Sequence, residues 1–170
     1  MSGIHAVLNA FDAAAARAAL ERCCGSARWV TAMLEQRPFS SDAALFAAAD
    51  RTWEALEPAD HLEAFAHHPQ IGASVAELRA RFAGTSRWSS EEQAGVSGAD
   101  ERTLSALATA NAAYLARFGF IFIVCASGKT AAEMLELLRA RLDNPPDVEL
   151  RVAAAEQAKI TRLRLEKLAS

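Results

Sequence analysis

The sequence predicts an all-α fold: a single-domain, multi-helix bundle with one extended apolar segment near residues 120–126. Three observations carry that prediction. Alanine, the best helix former, dominates the chain, while glycine (8) and proline (5) are sparse. Apolar residues recur at helical spacing behind Ser, Thr, Asp and Pro start signals. A single β-prone run, "FGFIFIVCASG" (118–128), has no second convincing strand to pair with.

The elements follow in order. Asp12 can cap a helix running through Leu20. Ser26 opens another, with Trp29, Val30, Met33 and Leu34 on one face and Pro38 just beyond its end. Ser41 or Asp42 caps a third, placing Leu45, Phe46, Ala49 and Trp53 at helical spacing. Pro58 suits a first helical position, and Leu62 and Phe65 should then face inward. Val75–Phe82 reads as a short helix. "GTSRWSSEEQ" is a loop leading into a helix start, and Asp100–Phe118 is a long, well-patterned helix. Thr130 caps a helix through Leu142 that "DNPP" breaks, and the last helix runs from about Pro146 to Leu168. No repeat or low-complexity linker divides the chain, so one domain over residues 1–170 is expected, and a chain of this length buries a full core.

Eighteen Lys and Arg against 21 Asp and Glu give a net charge of −3. That balance argues against partners recruited by charge, so neither nucleic acid nor a membrane surface is expected. The three cysteines, Cys23, Cys24 and Cys125, form no disulfide framework and fit small buried hydrophobes in a reducing compartment. With no basic-then-apolar leader in the first ten residues and no spanning apolar run, the expected location is cytoplasmic.

Four features could carry chemistry. In "AFAHHPQIGAS" (64–74), a proline follows two adjacent histidines. The residue before proline is pushed out of the α region, so the helix should end near His67 and leave His68 extended. The helix dipole favours a charged histidine there, which would keep His68 available as a proton donor near neutral pH. The plainer alternative is that both histidines cap the last carbonyls. A metal site is disfavoured, because His61, Glu63, His67 and His68 do not share one face.

"WSSEEQ" (88–93) holds two capping boxes in adjacent registers, Ser89 with Glu92 and Ser90 with Gln93. Both cannot operate together, and one register frees Glu92 from backbone duty at a helix N-terminus. If the 118–128 run is extended and buried, its backbone groups need partners, and a polar ligand is one; a plain core segment is the other reading. On the last helix, Arg164 falls at about 40° from Ile160, between it and Leu168 and beside Leu163, whereas Arg162 points away with Lys159 and Glu166. An inward arginine suits a carboxylate, of the protein or of a ligand, although snorkelling at a helix end competes.

Taken together, "CCGSARWV", "AHHPQIG", "WSSEEQAGV", "NAAYLARFGFIFIVCASGK" and "ELRVAAAEQAKITRLRLEKL" resemble the 2-oxo-4-hydroxy-4-carboxy-5-ureidoimidazoline (OHCU) decarboxylases of urate breakdown. The likeness runs from about Cys24 to Leu168. Gln70 and Lys129 depart from the residues more usual in that family. The resemblance implies a helical, cytoplasmic homodimer that needs no metal or organic cofactor and converts OHCU to (S)-allantoin and CO₂. It implies His68 as the proton donor, paired with Glu92. Pro69, Ser89, Gln93, the backbone of Phe122, Ile123, Val124, Cys125 and Ala126, and Arg164 would hold the substrate. The rival reading is a non-catalytic helical module that binds a ureido or purine-derived ligand.

Overall fold

The structure, a computed structural model, describes residues 2–68, 75–82 and 90–170, without the side chains of 81–82 and 90–100. Among the described residues there are nine α-helices and no strand. None of these helices is long and apolar enough to cross a membrane. The chain divides into two compact units. The first takes residues 1–68, 123–125 and 150–170, and the second takes 69–122 and 126–149.

In the first unit, α1 (Ile4–Ala10), α2 (Ala13–Cys23), α3 (Ala27–Glu35), α4 (Asp42–Glu54) and α5 (Pro58–Ala66) follow one another through short turns. Their starts are set by the side chains the sequence offers. Asp12, Ser26 and Ser41 each accept a backbone N–H three residues on, at 2.7, 3.2 and 3.0 Å. Pro58 takes the first helical position of α5. Leu8, Leu20, Trp29, Met33, Leu45 and Phe65 are fully enclosed. The polar edges of two buried rings are satisfied by backbone: Trp29 Nε1 donates to the Ala49 carbonyl, and Trp53 Nε1 to that of Ala154.

Two expectations change here. Helix α1 was not read from the sequence, being seven residues long behind a glycine that offers no side-chain cap. Leu62, expected inward, is 41% exposed, because α5 buries Ala64 and Phe65 instead.

The second unit holds α6 (Val75–Phe82), α7 (Ser90–Phe118), α8 (Ala131–Leu142) and the first turn of α9 (Pro146–Glu166). The expected break before Asp100 does not occur: α7 continues for 29 residues through Gly95 and Gly98. Glycine costs a helix interior about 1 kcal/mol, but it keeps its N–H and so does not interrupt the ladder as proline would. After α7, residues 121–126 belong to no helix or strand. Phe118, Phe120 and Phe122 bring their rings within 4.6–5.8 Å of the buried Tyr114 ring. For 120 and 122 that is the alternation of an extended chain. Tyr114 sits with Arg141, Asn144 and Glu149 in a buried polar cluster. Arg141 Nε donates to Glu149 Oε1 at 2.6 Å, Asn144 Nδ2 to Oε2 at 2.9 Å, and the Tyr114 hydroxyl donates to the same carboxylate.

The rest of α9 belongs to the first unit. Its buried stripe is Ala153, Gln157, Thr161 and Leu165, four residues apart. That stripe is rotated from the expected one, for Leu163 is 36% exposed and Leu165 is buried. Arg164 borders it and is half-buried.

Candidate active site

The four histidines separate by what holds them. His5 Nδ1 pairs with Asp42 at 2.6 Å. His61 Nε2 meets the Trp53 carbonyl at 2.9 Å, and its ring lies 4.3 Å from that of Trp53. Glu63 accepts the Ala27 N–H at 2.8 Å and ties the start of α3 to α5. Among the described residues, no group of three His, Cys, Asp or Glu side chains could hold a metal ion.

His67 forms the C-cap of α5 and is exposed. Its Cβ comes so close to Gly25 that a methyl group built there would lie 2.5 Å away, so only glycine fits between α2 and α3. His68 follows, its N–H closing the turn onto Phe65 O at 3.2 Å, and it alone of the adjacent pair is drawn inward.

His68 Nε2 hydrogen-bonds the Gln157 Oε1, and Gln157 is wholly buried. Gln157 Nε2 in turn donates to Thr161 Oγ1 at 3.1 Å. Burial lowers the His68 pKa below its usual 6.5, the Gln157 bond opposes this, and the charges of Arg164 and His67 lower it further. The expected dipole effect is therefore outweighed: desolvation and a like charge favour neutral imidazole. Cys23 and Cys24 lie in the same surroundings, and burial pushes both thiols up to about 11 against the pull of Arg164. They are thiols, not nucleophiles, at neutral pH. Among the described residues, Arg164 has no carboxylate partner, whereas Arg162 pairs with Glu166 at 3.5 Å and lies over the Phe46 ring.

Residues 123–125 complete this unit. The Cys125 N–H donates to Glu156 Oε1 at 3.1 Å, and Glu156 also pairs with Lys159. Ile123 is buried. Of the other expected site residues, Pro69 and Ser89 lie outside the described residues. Glu92 and Gln93 fall on α7 in the second unit, with side chains outside the described set, and Phe122 and Ala126 also belong to that unit. Sequence reasoning missed Glu156 and Gln157. The signal for Gln157 was present: a polar residue on the repeating stripe 153, 157, 161, 165 must find a buried partner.

Known proteins resemble this chain in sequence and in fold. The sequence profile of OHCU decarboxylases matches residues 9–166. The chain is 43% identical to the uric acid degradation bifunctional protein TTL of Arabidopsis thaliana over 149 residues, covering 87% of this chain and 45% of that protein. It thus spans less than half the length of that relative. It is 31% identical to the OHCU decarboxylase of Amia calva over 156 residues, covering 88% of this chain and 82% of that one. The crystal structure of OHCU decarboxylase in the presence of (S)-allantoin superposes with a TM-score of 0.68 at 42% identity, over 87% of this chain and 94% of that chain. An (S)-allantoin synthase, at 19% identity over 98% of this chain and 54% of that one, shares the fold with a TM-score of 0.71. By sequence and by fold, the chain belongs to the OHCU decarboxylase family.

Proposed function

We propose that this chain decarboxylates OHCU to (S)-allantoin and CO₂ in urate degradation, without a metal or organic cofactor. The observation that supports this reading is a half-buried histidine beside a half-buried arginine that has no carboxylate partner among the described residues. An arginine without a carboxylate, next to a histidine that can take up a proton, suits an anionic substrate. When CO₂ leaves, its bonding electrons remain on a carbon whose neighbouring C=N can share them, so the substrate supplies its own electron sink. What remains for the protein is to hold one conformer and deliver a proton to one face. A placed general acid contributes about 10²–10⁴-fold, and orientation adds to it.

In this reading His68 delivers the proton and Glu92 works beside it, orienting the imidazole or gripping the hydroxyl and ureido groups. Pro69, Ser89, Gln93 and the backbone of 122–126 line the substrate, and Arg164 holds an anionic or carbonyl-rich group. The Cys125 N–H is engaged by Glu156, so that residue's share would fall to its carbonyl. A substrate carboxylate beside His68 acts oppositely to Arg164, so substrate binding and proton uptake go together. The two units together form the one decarboxylase domain, as the profile match through both supports. A homodimer in the cytoplasm belongs to the same reading.

Family membership favours catalysis over the non-catalytic binding module. The deciding experiment supplies freshly generated OHCU to purified, chelator-treated protein and follows allantoin by circular dichroism. Accelerated formation of optically active allantoin is expected. Racemic product at the uncatalysed rate would overturn the proposal.

A further inference from the structure

The His68–Gln157–Thr161 chain does more than fill space. Gln157 is fully buried, so both ends of its amide need partners, and the two ends demand opposite ones: the carbonyl accepts and the NH₂ donates. Which end faces His68 therefore decides which imidazole nitrogen carries the proton in the neutral ring. The direction is set at the far end of the chain. There Gln157 Nε2 donates to Thr161 Oγ1 at 3.1 Å. The Gln157 carbonyl is then left facing His68 Nε2, and a carbonyl there requires an N–H.

We propose that Gln157 is a positioning residue that holds a proton on His68 Nε2 and so leaves Nδ1 as the nitrogen that exchanges a proton with the substrate. This rests on the reading of His68 as the proton donor and adds the atom and its keeper. In the step itself the C–C bond to the carboxylate breaks and CO₂ departs. The electron pair stays on the ring carbon, the proton on Nδ1 moves to that carbon, and His68 remains as the neutral Nε2–H tautomer until solvent reprotonates Nδ1. Throughout, Nε2 never releases its hydrogen, so the ring cannot turn to offer the wrong face.

The charged groups acting on this imidazole are Arg164 from α9 and His67 from its own turn, and the same Arg164 acts on the Cys23 and Cys24 thiols at the end of α2. Neither thiol titrates near neutrality. A pH limb in that range that persists in His67→Asn therefore reports the His68 imidazole.

The test combines long-range ¹H–¹⁵N spectra of the four histidines with pH profiles of Gln157→Leu, Gln157→Glu and Thr161→Val. Neutral His68 in the unmodified protein is expected as the Nε2–H tautomer. Gln157→Leu should lower kcat about tenfold, the effect of one hydrogen bond to a charged group, with KM little changed. It should also move the alkaline limb to lower pH and mix the tautomers. Gln157→Glu should move that limb to higher pH, a reversal that a merely structural role would not give. Thr161→Val keeps the volume but frees the amide to turn, so it should shift the tautomer the same way by less. It also serves as the decisive variant should Gln157→Leu fail to fold. An Nδ1–H tautomer in the unmodified protein would overturn the proposal. So would an inactive His68→Asn alongside Gln157 and Thr161 variants with unaltered profile and tautomer. Near-normal activity in His68→Asn would instead remove the broader reading of the site.

Discussion

Two buried polar clusters among the described residues are built from similar parts and come out opposite. In the second unit, Arg141, Tyr114 and Asn144 all converge on the Glu149 carboxylate, which is wholly enclosed. The sum of charge is zero, and each named group answers another within the protein. Burial and the Glu149 carboxylate raise the Tyr114 pKa, so its hydroxyl keeps its hydrogen and remains a donor. In the first unit, His68, Gln157, Thr161 and Arg164 supply an arginine, a histidine and neutral donors and acceptors, with no carboxylate for Arg164 among the described residues. A closed cluster is complete as folded. In the proposed reading, the other is completed by the anionic substrate.

The comparison can be broken from the structural side first. Glu149→Gln leaves the buried Arg141 without its counter-charge. Removing one partner of a buried pair costs about 3–5 kcal/mol, so urea midpoints should fall sharply. Turnover per folded molecule should stay normal. A stability change near zero would mean that the cluster is not closed.

His68→Asn tests the opposite cluster, and its expected effect has the opposite character. Activity should fall at least about 10²-fold, the low end for a general acid, while the urea midpoint hardly moves. If His67→Asn is inactive and His68→Asn is not, the inward turn of His68 has been misassigned a role.

Arg164 and Arg162 sharpen the contrast within one helical turn. Arg164→Lys retains the charge but loses the planar fork, and kcat/KM should drop about tenfold. Arg162→Lys should leave kinetics unchanged, because its partners are Glu166 and the Phe46 ring on the protein itself. Equal kinetics in the two variants would count against a substrate contact at Arg164.

The smallest expected effect is on stability against pH. Folding lowers the His68 pKa below 6.5, so the folded state binds fewer protons than the unfolded chain. The associated stability is present above the unfolded pKa and is lost as pH falls through it toward the folded value. Between about pH 7 and 5, His68→Asn should therefore show a shallower fall in Tm than the unmodified protein. Parallel curves would mean that His68 titrates as a solvated histidine.

Much of this architecture was legible because capping chemistry is local. Asp12, Ser26, Ser41, Pro58 and Thr130 start helices where the sequence indicates, and the unpaired aromatic run at 120–126 does leave the helix. The departures are tertiary. Leu62 is apolar yet exposed, and periodicity cannot tell which side of α5 meets a neighbour. The phase of α9 was set from Ile160 and Leu163 when the buried stripe runs through Gln157 and Thr161. Gln157 falls at about 60° from Ile160, within the face read as inward, so it was missed for another reason: an uncharged amide there signals less than the Arg164 charge beside it. The charge of His68 was misjudged because a dipole can be read from sequence position, whereas desolvation depends on what the fold brings near.

Gly25 carries a consequence for how this sequence can change over time. Its neighbour is the His67 Cβ, an atom that every residue except glycine possesses. Shortening the side chain at 67 therefore gives no relief, and a methyl group at 25 becomes admissible only after position 67 has itself become glycine. The two sites are coupled in space, and so in the substitutions that either can accept. One order of substitution passes through a loosened turn and the other through a steric clash, and His68, the next residue along, inherits the disturbance either way. A position that touches no substrate thereby restricts the mutational routes open to the residue proposed to deliver the proton.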